Sequence, residues 1–234
     1  AMATLSLPGY GYGIRYEYGM FQQRIEHGAQ VERPDNWLRD GNPWEFARPE
    51  VLFPVKFGGR VVQFTDERGD ERFHWVDTEE VMAQAFDTPV PGYGTSTVNN
   101  MRLWASRASQ DFNLNQFNAG NYLKAVEEKN ESENLSKVLY PSDTTTQGRA
   151  LRLKQQYFFV CASIQDILRR FFSAYDSLDD LPDKVAIQLN DTHPAIAIPE
   201  LMRVLMDVHG LAWNRAWNIT QRVFSYTNHT LMPE

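Results

Sequence analysis

The last quarter of the sequence repeats one pattern, in which a short apolar segment is followed by a polar loop. Lys184–Leu189 and Arg222–Tyr226 are the apolar segments, and Asn190–Pro194 and Thr227–Thr230 are the loops after them. Between the two repeats, Ala195–Val208 has the apolar spacing of a helix. Repeated strand–loop–helix units predict a parallel α/β sheet with right-handed crossovers.

Both polar loops follow the carboxyl ends of predicted strands, which is where open α/β sheets bind their ligands. If the two strands are neighbours, Asp191 and His193 of the first loop face Asn228 and His229 of the second across one cleft. An imidazole, a carboxylate and an amide in one place can hydrogen-bond a polyhydroxylated ligand or take part in acid–base chemistry. The competing interpretation is that the first loop is only a turn whose Asp and Thr side chains cap the next helix.

Other candidate chemistry in the sequence has a simpler explanation. A metal site built from His193, His229 and Asp191 is conceivable, but their spacing matches no metalloenzyme signature, and we expect no metal. Cys161 lies in an apolar helical stretch, where a core position is expected. The segment Gly9–Gly13 lacks the G-x-G-x-x-G order of a nucleotide-binding loop.

The first hundred residues have strand patterns interrupted by turn residues. Val51–Phe57 alternates apolar and other residues, two glycines follow, and Val61–Phe64 continues, which predicts a hairpin with a two-residue turn. Pro54 indicates an edge position for its first strand. Phe73–Val76 and Val98–Ala105 are further strand candidates.

Before these strands, Gly9–Gly13 and three prolines predict an irregular segment that buries Trp37, Trp44 and Phe46.

Two helices are predicted in the middle of the chain. Tyr122–Leu139 has a polar centre, which is typical of a solvated helix or of one that bridges to another subunit. Ser142–Gly148 is a polar loop in which Thr144 and Gln147 have the spacing of a capping box. The helix after it extends from about residue 149 to about residue 172 and is apolar enough to be a buried core helix.

The composition excludes several classes of protein. Lys and Arg total 23 and Asp and Glu total 30, so the net charge of −7 lacks the positive charge of a typical nucleic-acid-binding protein. No run approaches the roughly 18 apolar residues that a membrane span needs, so we expect neither nucleic acid nor membrane as a partner. One cysteine cannot form an internal disulfide, which favours a cytoplasmic location.

Longer stretches resemble the glycogen/α-glucan phosphorylases, in order and over essentially the whole chain. They are Gly11–Gly19, Asp35–Arg39, Gly41–Glu45, Phe86–Gly92, Asn100–Trp104, Asp111–Asn113, Val138–Pro141, Arg149–Gln155, Ala186–Pro194 and Tyr226–Thr230. The resemblance implies an α/β fold that is part of a doubly wound, largely parallel sheet of Rossmann-like, GT-B type. An inserted β-hairpin region and long helices accompany that sheet.

The resemblance also implies an activity, which is phosphorolysis of terminal α-1,4-glucosidic bonds of a glucan by inorganic phosphate to give glucose 1-phosphate. The family's cofactor is pyridoxal phosphate, and its attachment lysine belongs to a C-terminal domain with no counterpart in this sequence. Residues 1–234 would then be a partial N-terminal domain without cofactor-binding residues. Such a chain supplies the sugar-binding wall of the cleft and is inactive alone.

Family roles carry over to matching positions. His229, flanked by Asn228, corresponds to the histidine that contacts the glucosyl unit at the cleavage point, which makes both residues catalytic candidates. The acceptor side of the cleft and the gating loop Ser142–Gly148 supply the implied substrate-binding residues, which are Asp191, His193, Asp143, Thr144 and Glu234. Thr144 stands where the vertebrate members usually have asparagine.

Regulation and assembly are implied as well. Arg169 and Arg170 correspond to an arginine pair that binds an activator phosphate in regulated members, and Arg102 corresponds to a third arginine near it. The polar helix 122–139 corresponds to the family's subunit-contact helix, which implies a homodimer.

Two other functions stay open on the residues alone. A glycoside hydrolase needs two carboxyl groups about 5–9.5 Å apart, and Asp191, Glu200 and Glu234 are the candidates. The other is a non-catalytic module that binds glucan or mediates dimerisation.

Overall fold

The computed structural model describes residues 1–67, 69–109, 130–139 and 141–231. Its strands are β1 (Tyr10–Ile14), β2 (Gln22–Glu26), β3 (Ala29–Arg33), β4 (Phe46–Phe57), β5 (Arg60–Thr65), β6 (Glu71–Val76), β7 (Glu79–Pro91), β8 (Val98–Ala108), β9 (Ile187–Asn190) and β10 (Phe224–Thr227). Its α-helices are α1 (Thr146–Phe172), α2 (Leu181–Lys184), α3 (Ala197–Arg203) and α4 (Trp213–Val223). The fold is therefore mixed α/β.

The chain divides into two compact units. The first is formed by Ala1–Val55 and Glu80–Phe159, and the second by Lys56–Glu79 and Val160–Glu234.

A four-stranded mixed sheet with strand order β1-β8-β7-β4 forms the centre of the first unit. β1 is parallel to β8, and β8 is antiparallel to β7. Trp104 of β8 is fully buried, with its ring 6.4 Å from that of Tyr12 and 5.7 Å from that of Phe53. The strand predicted at Val98–Ala105 is thus confirmed, and it carries the centre of this unit's core.

The glycine-rich start of the chain is a strand, so the prediction of an irregular segment there is wrong. β1 pairs with β8 from Tyr10 opposite Asn100 to Ile14 opposite Trp104. A Cβ atom at Gly13 would lie 3.2 Å from the Leu103 side chain. Glycine therefore leaves room for the large side chain of the paired strand, which composition alone does not reveal.

The aromatic side chains that follow are exposed among the described residues, which contradicts their predicted burial. The exposed fraction is 42% for Trp37, 74% for Trp44 and 55% for Phe46. Trp37 donates its indole N–H to the carbonyl oxygen of Tyr16 at 3.1 Å. This hydrogen bond satisfies the indole N–H without burying the ring, so Trp37 can remain at the surface.

The two glycines after β4 do not close a hairpin between β4 and β5, and that prediction is wrong. Gly58 and Gly59 have φ of +63° and +72°, a region that favours glycine. The chain turns out of β4 there, and β5 pairs instead with β6 in an antiparallel hairpin. β4 ends the four-stranded sheet beside β7, so the edge position indicated by Pro54 is confirmed.

Helix α1 confirms the predicted core helix and begins three residues before the predicted start. Thr145 caps it, because its hydroxyl accepts the Gly148 N–H at 3.0 Å. The capping box predicted for Thr144 and Gln147 is wrong by one residue, since the Thr144 hydroxyl lies 2.9 Å from the Ser142 hydroxyl. Cys161 is buried in α1, as predicted.

Most of the predicted helix 122–139 lies outside the described residues. Of the described part, residues 130–134 are helical and residues 135–137 form a turn. Val138 makes an isolated parallel bridge to Tyr18.

The second unit contains the parallel pair predicted from the repeated pattern. β9 and β10 are parallel, from Ile187 opposite Phe224 to Asn190 opposite Thr227. Between them the chain forms α3, a turn of π-helix over Val204–Val208, and α4. The predicted helix 195–208 is therefore confirmed in its position. No helix among the described residues is both long enough and apolar enough to cross a membrane.

Candidate functional site

The two polar loops meet because their strands are parallel neighbours. The last pair in the β9–β10 register is Asn190 opposite Thr227. One residue further on, the backbone N–H of Asp191 donates to the carbonyl oxygen of Thr227 at 2.7 Å. The side chain of Gln188 also donates to the Thr227 hydroxyl at 2.8 Å. The carboxyl ends of both strands therefore present their loops at one edge of the sheet.

Asp191 is the residue that joins the loops. Its backbone has φ of +64°, a left-handed conformation that aspartate tolerates better than most residues. Its Oδ1 accepts the backbone N–H of Thr192 at 2.7 Å, and its Oδ2 accepts the hydroxyl of Thr230. The backbone N–H of His229 also donates to this carboxylate. Only 6% of Asp191 is exposed, so the carboxylate serves as an internal hydrogen-bond acceptor.

These bonds hold the pKa of Asp191 below its ordinary value. The hydroxyl of Thr230 is the largest cause, and the N–H of Thr192 adds to it, against the opposing effect of burial. Because the folded-state pKa is depressed, the carboxylate stabilises the loops at neutral pH. That contribution is lost as the pH falls below about 4 through the folded-state pKa. A carboxyl group in this state is unsuited to act as a general acid.

The other candidates of this edge differ in exposure. His193 is half-buried, whereas Asn228 and His229 are exposed. The Oδ1 atom of Asn228 accepts the backbone N–H of Thr230 at 3.2 Å, which fixes the turn that carries His229. The imidazole of His229 makes no hydrogen bond to any described residue. The structure therefore brings the predicted four residues to one edge and leaves an imidazole and an amide facing outwards.

Thr230 is the residue that the sequence reasoning missed. The Asn-x-Thr spacing indicates the local turn with Asn228. No local pattern predicts the bond from its hydroxyl to Asp191, because the two residues are 39 positions apart.

We expect Thr230→Val to raise the pKa of Asp191 towards its ordinary value of about 3.9, because the substitution removes the strongest stabilising bond of the carboxylate. Carboxyl ¹³C titration by NMR measures this directly. Thr192→Val is the matched control, because Thr192 donates to Asp191 through its backbone N–H, which valine retains. Equal shifts in the two variants, or none in either, would contradict this account of the site.

Glu200 is committed to a structural ion pair. It is 3% exposed, and Arg203 donates to its two carboxylate oxygens at 2.9 and 2.8 Å. The Arg203 guanidinium in turn lies 5.6 Å from the ring centroid of Trp75. Glu234, the third candidate carboxylate for hydrolysis, lies outside the described residues. No three His, Cys, Asp or Glu side chains gather closely enough to hold a metal ion in the part of the chain that is described.

The gating-loop candidates lie in the first unit. The carboxylate of Asp143 accepts a hydrogen bond from the Arg152 guanidinium at 2.5 Å. Its backbone carbonyl oxygen accepts one from the Arg149 guanidinium at 3.1 Å. Asp143 and Thr144 are both exposed. Arginines of the following helix therefore anchor this loop through Asp143.

Gly148 lies at the end of the same loop and packs closely against Ser142. A Cβ atom at this position would collide with the carbonyl oxygen of Ser142. We expect Gly148→Ala to displace loop 142–148 and to lower the free energy of unfolding by more than about 1 kcal/mol. Urea unfolding followed by circular dichroism measures the loss. Gly11→Ala is the control, because its nearest contact, the Met101 side chain, is at an ordinary 3.5 Å. Gly148→Ala with unchanged stability would show that the loop has room to adapt.

The arginines differ in what already binds them. Arg169 donates to the fully buried Asp166 at 2.8 Å and keeps about half of its side chain exposed. The backbone carbonyl of Arg170 accepts the hydroxyl of Ser173 at 2.7 Å. Arg102 lies in the first unit and is buried, with Nε and Nη2 donating to the two oxygens of Asp87 at 2.7 and 2.8 Å. A phosphate at Arg102 would therefore share its guanidinium with a carboxylate.

The chain is similar to glycogen phosphorylases along its whole length. It is 55% identical over 234 residues to the glycogen phosphorylase of Chlamydia pneumoniae. The aligned region covers all of this chain and 28% of that relative. The liver form of Ovis aries is 56% identical and the brain form of Homo sapiens 54% identical, each over 242 residues with the same coverage. The chain therefore spans 28% of the length of these relatives.

A family-level comparison gives the same result, since residues 1–234 all match the carbohydrate phosphorylases. That match includes both loops of the site and every residue to which the resemblance assigns a role. The chain belongs to the carbohydrate phosphorylase family.

Proposed function

We propose that this chain is the sugar-binding part of a glycogen/α-glucan phosphorylase. The reaction is phosphorolysis of terminal α-1,4-glucosidic bonds of glycogen, starch or maltodextrin to glucose 1-phosphate. The proposal rests on the pair of loops at the ends of β9 and β10. Asp191 joins these loops through its hydrogen bonds, and Asn228 and His229 of the second loop are exposed. Family membership over the whole chain supports the assignment.

The chemistry of this edge suits a neutral, polyhydroxylated substrate. An amide and an imidazole can both exchange hydrogen bonds with the hydroxyl groups of such a substrate. Fixing them before the substrate arrives lowers the cost of ordering them during the reaction. In the proposed division of roles, His229 and Asn228 contact the reacting glucosyl unit, while His193 and Asp191 line the acceptor side. Asp143, Thr144 and Glu234 complete the proposed substrate contacts.

The implied pyridoxal phosphate supplies proton transfer through its phosphate group when it is bound to the complete enzyme. The residues described here do not fit as its attachment site, since no lysine belongs to either loop of the site. Lys184 instead lies 5.2 Å from the ring centroid of Tyr175. We propose that the cofactor is attached through a residue outside this chain, in a protein of the relatives' length.

We expect the purified chain to show no visible absorbance band that borohydride bleaches. None of its lysines lies in a stretch that resembles the family's cofactor motif: Lys56, Lys124, Lys129, Lys137, Lys154 and Lys184. Absorbance spectra before and after reduction check this. A bleachable band would assign the cofactor to this chain.

Fold, assembly and regulation extend the proposal. Residues 1–234 form part of an N-terminal domain whose complete sheet is doubly wound and of GT-B type. The subunits pair through helix 122–139, and the enzyme works in the cytoplasm. Arg169 and Arg170, with Arg102, bind an activator phosphate; the anchoring of Arg169 by the buried Asp166 supports a fixed cation there.

The two alternative functions are weaker. Hydrolysis needs a protonated carboxyl group, yet the pKa of Asp191 is depressed by Thr230, and Glu200 is bound by Arg203. A non-catalytic glucan-binding or dimerisation module remains the main alternative for the chain by itself.

Maltoheptaose incubated with and without inorganic phosphate tests the proposal. A protein of the relatives' full length that carries this chain should release glucose 1-phosphate only when phosphate is present. This chain alone should bind sugar without turnover. Release of reducing sugar without phosphate would favour a hydrolase and overturn the proposal.

A further inference from the structure

A polar cavity of about 310 Å³ lies in the first unit, away from both loops of the proposed sugar site in sequence. Its lining comes from residues 15 and 17 after β1, residues 36 and 38, residues 105–107 of β8, and residues 133 and 136. The volume is in the range of pockets that hold small molecules. All of these residues belong to one compact unit, so the cavity is a feature of that unit alone.

Two buried serines fix part of the lining. Ser106 and Ser136 are 1% and 7% exposed, and their hydroxyl oxygens are 2.8 Å apart. The hydroxyl of each serine also accepts the backbone N–H of the other, at 3.1 and 3.0 Å. This reciprocal pairing joins β8 to residues 133–136 before any ligand binds. A lining that is already ordered lowers the entropic cost of binding.

Two guanidinium groups in the lining are positioned by neighbours and keep free N–H donors. Arg15 donates through Nε to Glu45 at 2.9 Å, and its guanidinium carbon lies 4.1 Å from the ring centroid of Phe86. Arg107 donates through Nε to Gln84 at 3.0 Å. Within the described ranges, Nη1 of Arg15 and both Nη atoms of Arg107 make no hydrogen bond to another residue. Such N–H groups are the donors that bind carboxylates in proteins.

Two carboxylates complete the charged part of the lining. Glu17 and Glu133 form no side-chain ion pair or hydrogen bond with any residue that the structure describes. Arg15 is neutralised by Glu45, so the lining keeps one cation, Arg107, and two anions at neutral pH. A simple anion would be repelled by the two carboxylates, and a simple cation would leave the guanidinium donors unused. A ligand with one carboxylate and two ammonium groups matches the lining in sign and in number.

We propose that this cavity binds a free basic α-amino acid of the lysine type. Arg107 and Arg15 donate to the α-carboxylate of the ligand. Glu17 and Glu133 accept hydrogen bonds from its α-ammonium and side-chain ammonium groups, and Leu38 contacts the methylenes between them. Because the ligand binds only the folded unit, it stabilises that unit. The proposal does not depend on the phosphorolysis reaction, since no residue of either sugar-site loop lines the cavity.

Titration of the ¹⁵N-labelled chain with free L-lysine, followed by NMR, tests the proposal. We expect the backbone amide signals of Ser106, Arg107 and Ser136 to shift with one dissociation constant. L-Lysinamide lacks the carboxylate and Nα-acetyl-L-lysine lacks the α-ammonium group, so each should bind about tenfold more weakly. If either analogue binds as tightly as lysine, or if lysine moves none of these signals, the proposal is wrong.

Side-chain variants assign the two ends of the ligand. Arg107→Gln should weaken lysine binding about tenfold without weakening that of L-lysinamide, which has no carboxylate. The double variant Glu17→Gln/Glu133→Gln should weaken both ligands, since both carry two ammonium groups. Arg24→Gln is the matched control, because Arg24 is an exposed arginine of β2 outside the lining. Equal losses for both ligands in Arg107→Gln would overturn the proposal.

A protein of the relatives' full length that carries this chain provides the second measurement. Equilibrium dialysis with radiolabelled L-lysine should give the same affinity there as for the chain alone, and Arg107→Gln should again lower it about tenfold. Loss of lysine binding in the longer protein would mean that other parts of that protein cover the cavity, which also overturns the proposal.

Discussion

Replacing His229 with alanine, in a protein of the relatives' full length that carries this chain, should lower kcat about 10²-fold or more. The imidazole lies outward on a turn that Asn228, Thr230 and Asp191 fix, so its geometry is set before substrate binds. Contacts that strengthen as charge develops on the sugar stabilise the transition state more than the ground state. Steady-state kinetics with phosphate and glucan varied separately measure the effect.

His193→Ala should behave differently, because its loop is proposed to line the acceptor side. We expect it to raise the KM for glucan more than it lowers kcat. His27→Asn is the matched surface control, since His27 is an exposed turn residue with φ of +52°, which asparagine also adopts. Near-normal kcat in His229→Ala, or equal behaviour of the two site variants, would contradict the division of roles.

Replacing Arg102 with leucine should lower the free energy of unfolding by about 3–5 kcal/mol, because it leaves a buried carboxylate without its main partner. Arg102 and Asp87 are 7% and 5% exposed and make two hydrogen bonds to each other. Burial acts to raise the pKa of Asp87, but hydrogen bonds from Arg102, Asn100 and Arg48 hold that pKa below its ordinary value. Urea unfolding at neutral pH measures the loss.

Arg48→Ala is the control for this second prediction. Arg48 donates to the same carboxylate at 3.2 Å, but about half of its side chain is exposed. Exposed pairs of this kind contribute only up to about 1 kcal/mol. The double variant Arg102→Leu/Asp87→Leu should recover much of the lost stability, because no buried charge remains. A small effect of Arg102→Leu would mean that Asp87 is hydrated or accepts a proton at little cost.

Pattern and spacing were sufficient where the governing contacts are local. The strand–loop–helix repeat predicted β9, β10 and their parallel pairing, and it placed both polar loops at one edge of the sheet. Apolar spacing likewise predicted α1. In these segments the apolar residues and the nearby turn residues indicate the same structure.

Long-range pairing was where sequence reasoning failed. A pair of glycines after β4 is compatible with a hairpin between β4 and β5 and also with a turn that takes the chain out of the sheet. In this structure the chain leaves the sheet, and β5 pairs with β6. Burial decides the pairing instead, since Val55 of β4 and Ala83 and Ala85 of β7 are fully buried. The bond from Thr230 to Asp191 is a second example, because it joins residues that are neighbours only after β9 and β10 have paired.

A crystal structure of the longer protein soaked with maltoheptaose tests the central claim, that the edge formed by loops 190–194 and 227–230 binds the sugar. We predict a glucosyl ring with a hydroxyl within about 2.7–3.2 Å of a side-chain atom of His229 or Asn228, and an unchanged bond between Asp191 and Thr230. Sugar bound in the cleft with both loops unoccupied, and with no contact to either residue, would contradict the account.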